Sequence, residues 1–147
     1  MACRLMMMAE KILVPVDGSE TMERTITIAC ELVKKLGGTL TLVHIVSLPI
    51  SVEDTGLIDP APLVKVGERI LDTAQEIVHK KGCDADRILE VNVGNAGHRI
   101  VSVAKENKVT LIVIHARGHS KIATALLGSV CNTVIHSATC QVLIVRP

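Results

Sequence analysis

Short apolar runs, spaced along the whole chain, set the terms on which it can fold. Residues 11–16 read KILVPV, 39–46 TLTLVHIV, 109–114 VTLIVI and 141–145 QVLIV, with a more polar run at 87–93. A strand wetted on one face alternates apolar and polar residues; a near-continuous apolar run fits a strand covered on both faces, as in a parallel sheet. The intervening segments carry helical spacing instead. Met22, Ile26, Ala29, Val33 and Leu36 recur at steps of three and four before Gly37-Gly38. Val66, Ile70, Ala74 and Ile77 do so before Gly82, and Ile100, Val101 and Ala104 follow the Gly94-Asn95 turn. Leu127, Val130, Val134, Ile135 and Ala138 mark a last helix. Ser19 is placed to cap the first helix, with Glu20 and Glu23 near its positive end. Residues 47–62 are rich in Ser, Asp, Gly and Pro and read as a loop.

The order is therefore βαβαβαβαβ, with crossovers long enough for right-handed parallel connections. The expected class is α/β: a single doubly wound, five-stranded parallel sheet of the flavodoxin or Rossmann kind, with helices on both faces. At 147 residues it is one domain, with no internal repeat or linker. In such sheets ligands bind outside the carboxyl ends of the strands, near the point where strand order reverses. That directs attention to Pro15-Val16-Asp17-Gly18-Ser19, to His44-Ile45-Val46, and to the segment from His115 through Arg117, Gly118 and Lys121 to Gly128-Ser129-Val130.

Composition narrows the functions open to the chain. The formal net charge is +1, with 21% charged residues, so there is no electrostatic footprint for nucleic acid or an anionic membrane. Phe, Tyr and Trp are all absent. The core must be aliphatic, and no aromatic platform exists for stacking single-stranded bases. No apolar run approaches the ~20 residues that span a bilayer. The five cysteines, at 3, 30, 83, 131 and 140, contain no CxxC pair, and free thiols in a reducing cytoplasm are expected. The opening MACRLMMM lacks the apolar stretch and cleavage site of a signal peptide. It reads as an extension over residues 1–7 from an upstream start codon, with the domain occupying 8–147.

The segment after the fourth run carries the most chemistry. Gly128-Ser129 falls where the last helix should begin, and helix N-termini offer unpaired N–H groups and a positive dipole end to anions. Glycine there lets the backbone approach a phosphate, serine adds a hydroxyl, Gly118 suits a tightly curled loop, and Arg117 and Lys121 add positive charge.

Gly118, nine residues, then Gly128-Ser129, followed by a helix and a terminal apolar strand, resembles the nucleotide loop of universal stress proteins. KILVPVDGSE and TLVHIV resemble the same family, so the likeness spans nearly the whole chain. It implies a strand order of 3-2-1-4-5 and an ATP-type ligand (or AMP or another adenine nucleotide) at Pro15, Val16, Asp17, Ile45, Gly118, Gly128, Ser129 and Val130. Ile45 would offer backbone groups to the adenine, Asp17 would face adenine, ribose or a metal such as Mg, and Gly128–Val130 would hold phosphates. The family's first loop glycine falls at His115, whose ring could crowd the ligand, contact a phosphate or point to solvent. Gln141 stands where a proline is usual before the last apolar run. The resemblance also implies a homodimer paired through the C-terminal strand, an exposed apolar edge in a monomer.

Other readings have weaker support. A receiver domain needs a second acidic residue beside Asp17 and an aspartate ending the third strand. DGSETM is not the GxGxxG of a dinucleotide fold, and there is no Walker GK[ST]. His115 and His119 have metal-helix spacing but fall in a loop. His44 reads as a strand-end histidine bonded to backbone, and Cys131 and Cys140 as packing thiols. Ser129 lacks a motif-supported histidine and acid. The sequence shows no catalytic residues, so the expected role is a stress-response and signalling module. A same-fold interaction protein without nucleotide, and a slow ATPase, are the rivals.

Overall fold

The run at residues 11–16 becomes the central strand. In the computed structural model, which describes residues 9–52, 58–116 and 127–147, β1 (Glu10–Pro15) pairs in parallel with β2 (Gly38–Leu48) and β4 (Leu111–His115). β3 (Asp86–Val93) lies outside β2 and β5 (Gln141–Val145) outside β4. The sheet order is β3-β2-β1-β4-β5, all parallel, as expected.

Helices α1 (Met22–Leu36) and α2 (Ala61–Lys80) cover one face, and α3 (Ala96–Glu106) and α4 (Ser129–Ser137) the other. Strand alternation divides the core accordingly. Ile12, Val14 and Val113 point to the α1–α2 side; Leu13, Ile112 and Ile114 point to the α3–α4 side. All six are at most 3% exposed, which is why both runs are continuously apolar.

Several boundaries differ from the sequence reading for local reasons. β2 continues to Leu48 and is followed by a single 3-10 turn at Ile50–Val52, so the expected loop from 47 starts as strand. The N-cap of α1 is Thr21, not Ser19. Ser19 is instead held in a turn, its N–H donating to Asp17 Oδ1 at 2.9 Å and its carbonyl accepting from Met22 N–H at 3.1 Å. β4 starts at Leu111; Thr110 before it gives its N–H to the Lys11 carbonyl and its hydroxyl to the Glu10 carboxylate. α4 starts at Ser129, leaving Leu127 outside the helix and 37% exposed.

α2 is rotated relative to its expected stripe. Gly67, Leu71, Ala74 and Val78 are buried, whereas Val66 is 50% exposed and Ile70 and Ile77 flank the core. Gly67 explains the rotation: a Cβ there would lie 2.8 Å from both His44 Cδ2 and Leu89 Cδ1. The helix backbone thus approaches β2 and β3 at the glycine. Among the described residues no helix is long and apolar enough to cross a membrane.

Candidate functional site

The strand order reverses between β1 and β4, and a pocket of about 280 Å³ opens there at the carboxyl ends. Pro15, Val16 and Asp17 enter it from β1, Ile45 from β2, His115 from β4, and Gly128, Ser129 and Val130 from the start of α4. The fold brings these sequence candidates together, although they come from four distant stretches of chain. Arg117 and Gly118, with Lys121 and His119, lie outside the described residues.

One wall is the N-terminus of α4. Gly128 is its N-cap, extended at φ −61 and ψ 157, with no side-chain cap. Its N–H is tied back to the Ala116 carbonyl at 2.8 Å, and the first helical bond runs from Asn132 N–H to the Gly128 carbonyl at 2.9 Å. The N–H groups of the turn between are those a helix start leaves for water or a ligand. The neighbouring helix buttresses this start. Asn95 caps α3 by accepting the Gly97 N–H at 2.7 Å and donates to the Thr133 hydroxyl at 3.1 Å, and that hydroxyl donates to the Ser129 carbonyl at 3.0 Å.

The opposite wall holds a hydrogen-bonded histidine–aspartate pair. His115 Nε2 lies 3.0 Å from Asp17 Oδ2, with the His115 side chain 8% and the Asp17 side chain 31% exposed. The ring is therefore not turned to solvent; β4 carries it inward to meet the residue after β1. Its Nδ1 is buried without a hydrogen-bond partner among the described residues. Burial raises the Asp17 carboxyl, but hydrogen bonds from His115 and from the Ser19 hydroxyl and N–H outweigh it and hold the group well below the usual carboxylate range. His44 is anchored as expected, Nδ1 lying 2.7 Å from the Val16 carbonyl.

The Asp17 shift has a definite sign in stability. A carboxyl depressed on folding stabilises the fold fully above its unfolded pKa, about 3.9, and loses that contribution as pH falls toward the folded value. Acid titration of the fold should thus show a loss below about pH 4 that is reduced in His115→Gly. Equal acid sensitivity of the two proteins, followed by circular dichroism, would show that the pair is not coupled to folding.

The rest of the lining is largely apolar: Val43, Ala96, Ile100, Ile114, Ala116 and Cys131. A largely apolar lining with a carboxylate and helix-start N–H groups suits a ligand with an apolar body, hydrogen-bonding groups and an anionic end. Ala96 and Ile100 are pocket residues that the sequence reading does not reach. They begin the helix after β3, so the strand-end rule applied to that strand too would find them. Cys131, expected as a packing thiol, is 3% exposed and also borders the pocket. Among the described residues, no group of three or more His, Cys, Asp or Glu side chains could hold a metal.

A doubly wound parallel sheet with its pocket at this switch point defines a small-ligand α/β domain. The sequence profile described as the Universal stress protein family matches residues 8–146, and the chain belongs to that family. It is 33% identical to the universal stress protein YxiE of Bacillus subtilis, across 95% of this chain and 100% of that protein. Among solved structures, a universal stress protein from Archaeoglobus fulgidus in complex with dAMP is 28% identical, with TM-score 0.71, covering 92% of this chain and 96% of the other. A universal stress protein in complex with cAMP is 25% identical, with TM-score 0.71 and the same two coverages, 92% and 96%.

Proposed function

We propose that this chain binds an adenine nucleotide, ATP foremost, as a homodimeric stress-response module of the cytoplasm. The observation that carries this reading is the meeting of Asp17, Ile45 and Gly128-Ser129-Val130 around one pocket of about 280 Å³. The dAMP and cAMP complexes of similar proteins support it. In this reading the base lies against the apolar lining at Ile45, the ribose faces Asp17, and the phosphates meet the start of α4. Mg would accompany the phosphates, and Arg117 and Gly118 would be further nucleotide-binding residues. Dimerisation would use β5, an edge strand whose Leu143 is 37% exposed.

His115 favours one rival. Its ring occupies a position that is glycine in the family pattern, and it stands in the pocket wall against Asp17. A chain that had filled its pocket this way would be an interaction protein of the same fold without nucleotide.

The absence of aromatic residues makes the deciding measurement simple. The protein itself hardly absorbs at 280 nm, so a 260 nm band on the purified chain reports co-purified nucleotide almost without background. Mg-ATP at 100 times Kd should add about 2.7 kcal/mol, raising the melting temperature by roughly 5–10 °C. Light scattering on the same sample should give twice the chain mass. No band and no thermal shift would leave the interaction-protein reading; a gain of both in His115→Gly would assign the loss to that ring.

A further inference from the structure

Away from the pocket, two cysteines from distant parts of the chain meet. Cys30 sits within α1 and is 1% exposed. Cys83 is half-buried just after α2 and is fixed there by the end of that helix. Gly82 turns with φ +72, its N–H bonds the His79 carbonyl at 2.9 Å, and Cys83 N–H bonds the Val78 carbonyl at 3.1 Å. The Cys83 thiol donates to the Cys30 carbonyl at 3.7 Å. Burial first, and then the adjoining Cys83 thiol, push Cys30 up to about 12.

The surroundings make the two sulfurs unequal. The Lys34 ammonium is bound to the Lys81 carbonyl and lies over Gly82, in the turn that carries the more exposed thiol. A partly exposed cysteine can be reached by a reagent from solvent, whereas a wholly buried one is inert to it. Both remain free thiols in the structure.

We propose that Cys83 and Cys30 are a peroxide-responsive pair, Cys83 being the sulfur oxidised first and Cys30 the one that resolves it into an intrachain disulfide. The Cys83 thiolate attacks one oxygen of hydrogen peroxide; the O–O bond breaks, and the other oxygen leaves, taking up the thiol's proton, as water. The resulting sulfenic acid is attacked by the Cys30 sulfur. The S–S bond forms, and the hydroxyl of the sulfenic acid leaves with the Cys30 proton as a second water. One peroxide is reduced and two thiols are oxidised. The bond would tie α1 to the end of α2 across the face they share. It does not depend on nucleotide binding.

The test treats the full-length reduced protein with hydrogen peroxide, alkylates remaining thiols, and maps peptides by mass. Thiols alkylated after unfolding in denaturant should fall by two from five, with a Cys30–Cys83 link within one chain that dithiothreitol reverses. Cys83→Ser should lose that response, and Cys30→Ala should accumulate a Cys83 sulfenic acid trapped by dimedone. If Cys30→Ala fails to fold, Cys83→Ser with wild-type peptide mapping still decides. A bond to any other cysteine, a link between chains, irreversible oxidation of Cys83 without a bond, or an undiminished response in Cys83→Ser would overturn the assignment.

Discussion

Gly128→Asp should abolish nucleotide binding while leaving the fold as stable as before, or slightly more so. Gly128 is the N-cap of α4 with an extended backbone that any residue adopts, and no side chain caps that helix. Aspartate is a better N-cap than glycine and its charge suits the positive helix end, a gain of a few tenths of a kcal/mol. The same carboxylate would stand where the phosphates are proposed to lie. Two like charges about 4 Å apart at an effective dielectric of 20 repel by about 4 kcal/mol, roughly three orders of magnitude in Kd. Calorimetric titration with Mg-ATP beside thermal melts separates the two effects. Undiminished affinity would mean that the phosphates lie elsewhere, and a large drop in melting temperature would mean that the cap is not an open one.

Gly38→Ala should be among the most destabilising single changes available in the chain. Gly38 opens β2 opposite Glu10 with φ +131, where side chains are rarely found. A Cβ there would fall 2.8 Å from the Glu10 carbonyl carbon and well inside the contact distance of its oxygen. The obstacle is backbone of the central strand and cannot rotate away. Backbone strain and overpacking together cost about 4 kcal/mol, lowering the melting temperature by roughly 8–16 °C. The neighbouring Gly37 is the control. It has φ +73 but nothing within 4 Å of the place an added methyl would take, so Gly37→Ala should cost only about 1 kcal/mol. Equal melting temperatures for the two variants would refute the steric argument.

What can be read from the chain follows the physics of each signal. Burial on both faces leaves a strong imprint, so the runs ending at Val16, Val46 and Val145 announce strands directly. Pairing leaves none: the sheet order comes from family resemblance, because no periodicity distinguishes a central strand from an edge. The α2 stripe is ambiguous in sequence because Ile70, Leu71, Ile77 and Val78 form two overlapping apolar lines. The choice between them rests on Gly67, whose fit against His44 is a tertiary fact. The pocket is legible where backbone chemistry at strand and helix ends dictates it, as at Asp17 and Gly128. The pairing of His115 with Asp17 is not, since it depends on β1 and β4 lying side by side with the two residues 98 positions apart in sequence.

That adjacency of β1 and β4 also bears on how the protein emerges from a ribosome. β1 meets β2 early in synthesis, but its other edge waits for Ile12 to face Leu111 and Leu13 to face Ile112. About three-quarters of the 147 residues must be made before the middle of the sheet can close. Until then the nascent chain carries a half-built layer with an open apolar seam, the state in which long-range parallel pairing is slow and prone to association. Any truncation before residue 111 should therefore yield not a smaller working domain but a ward of the chaperones.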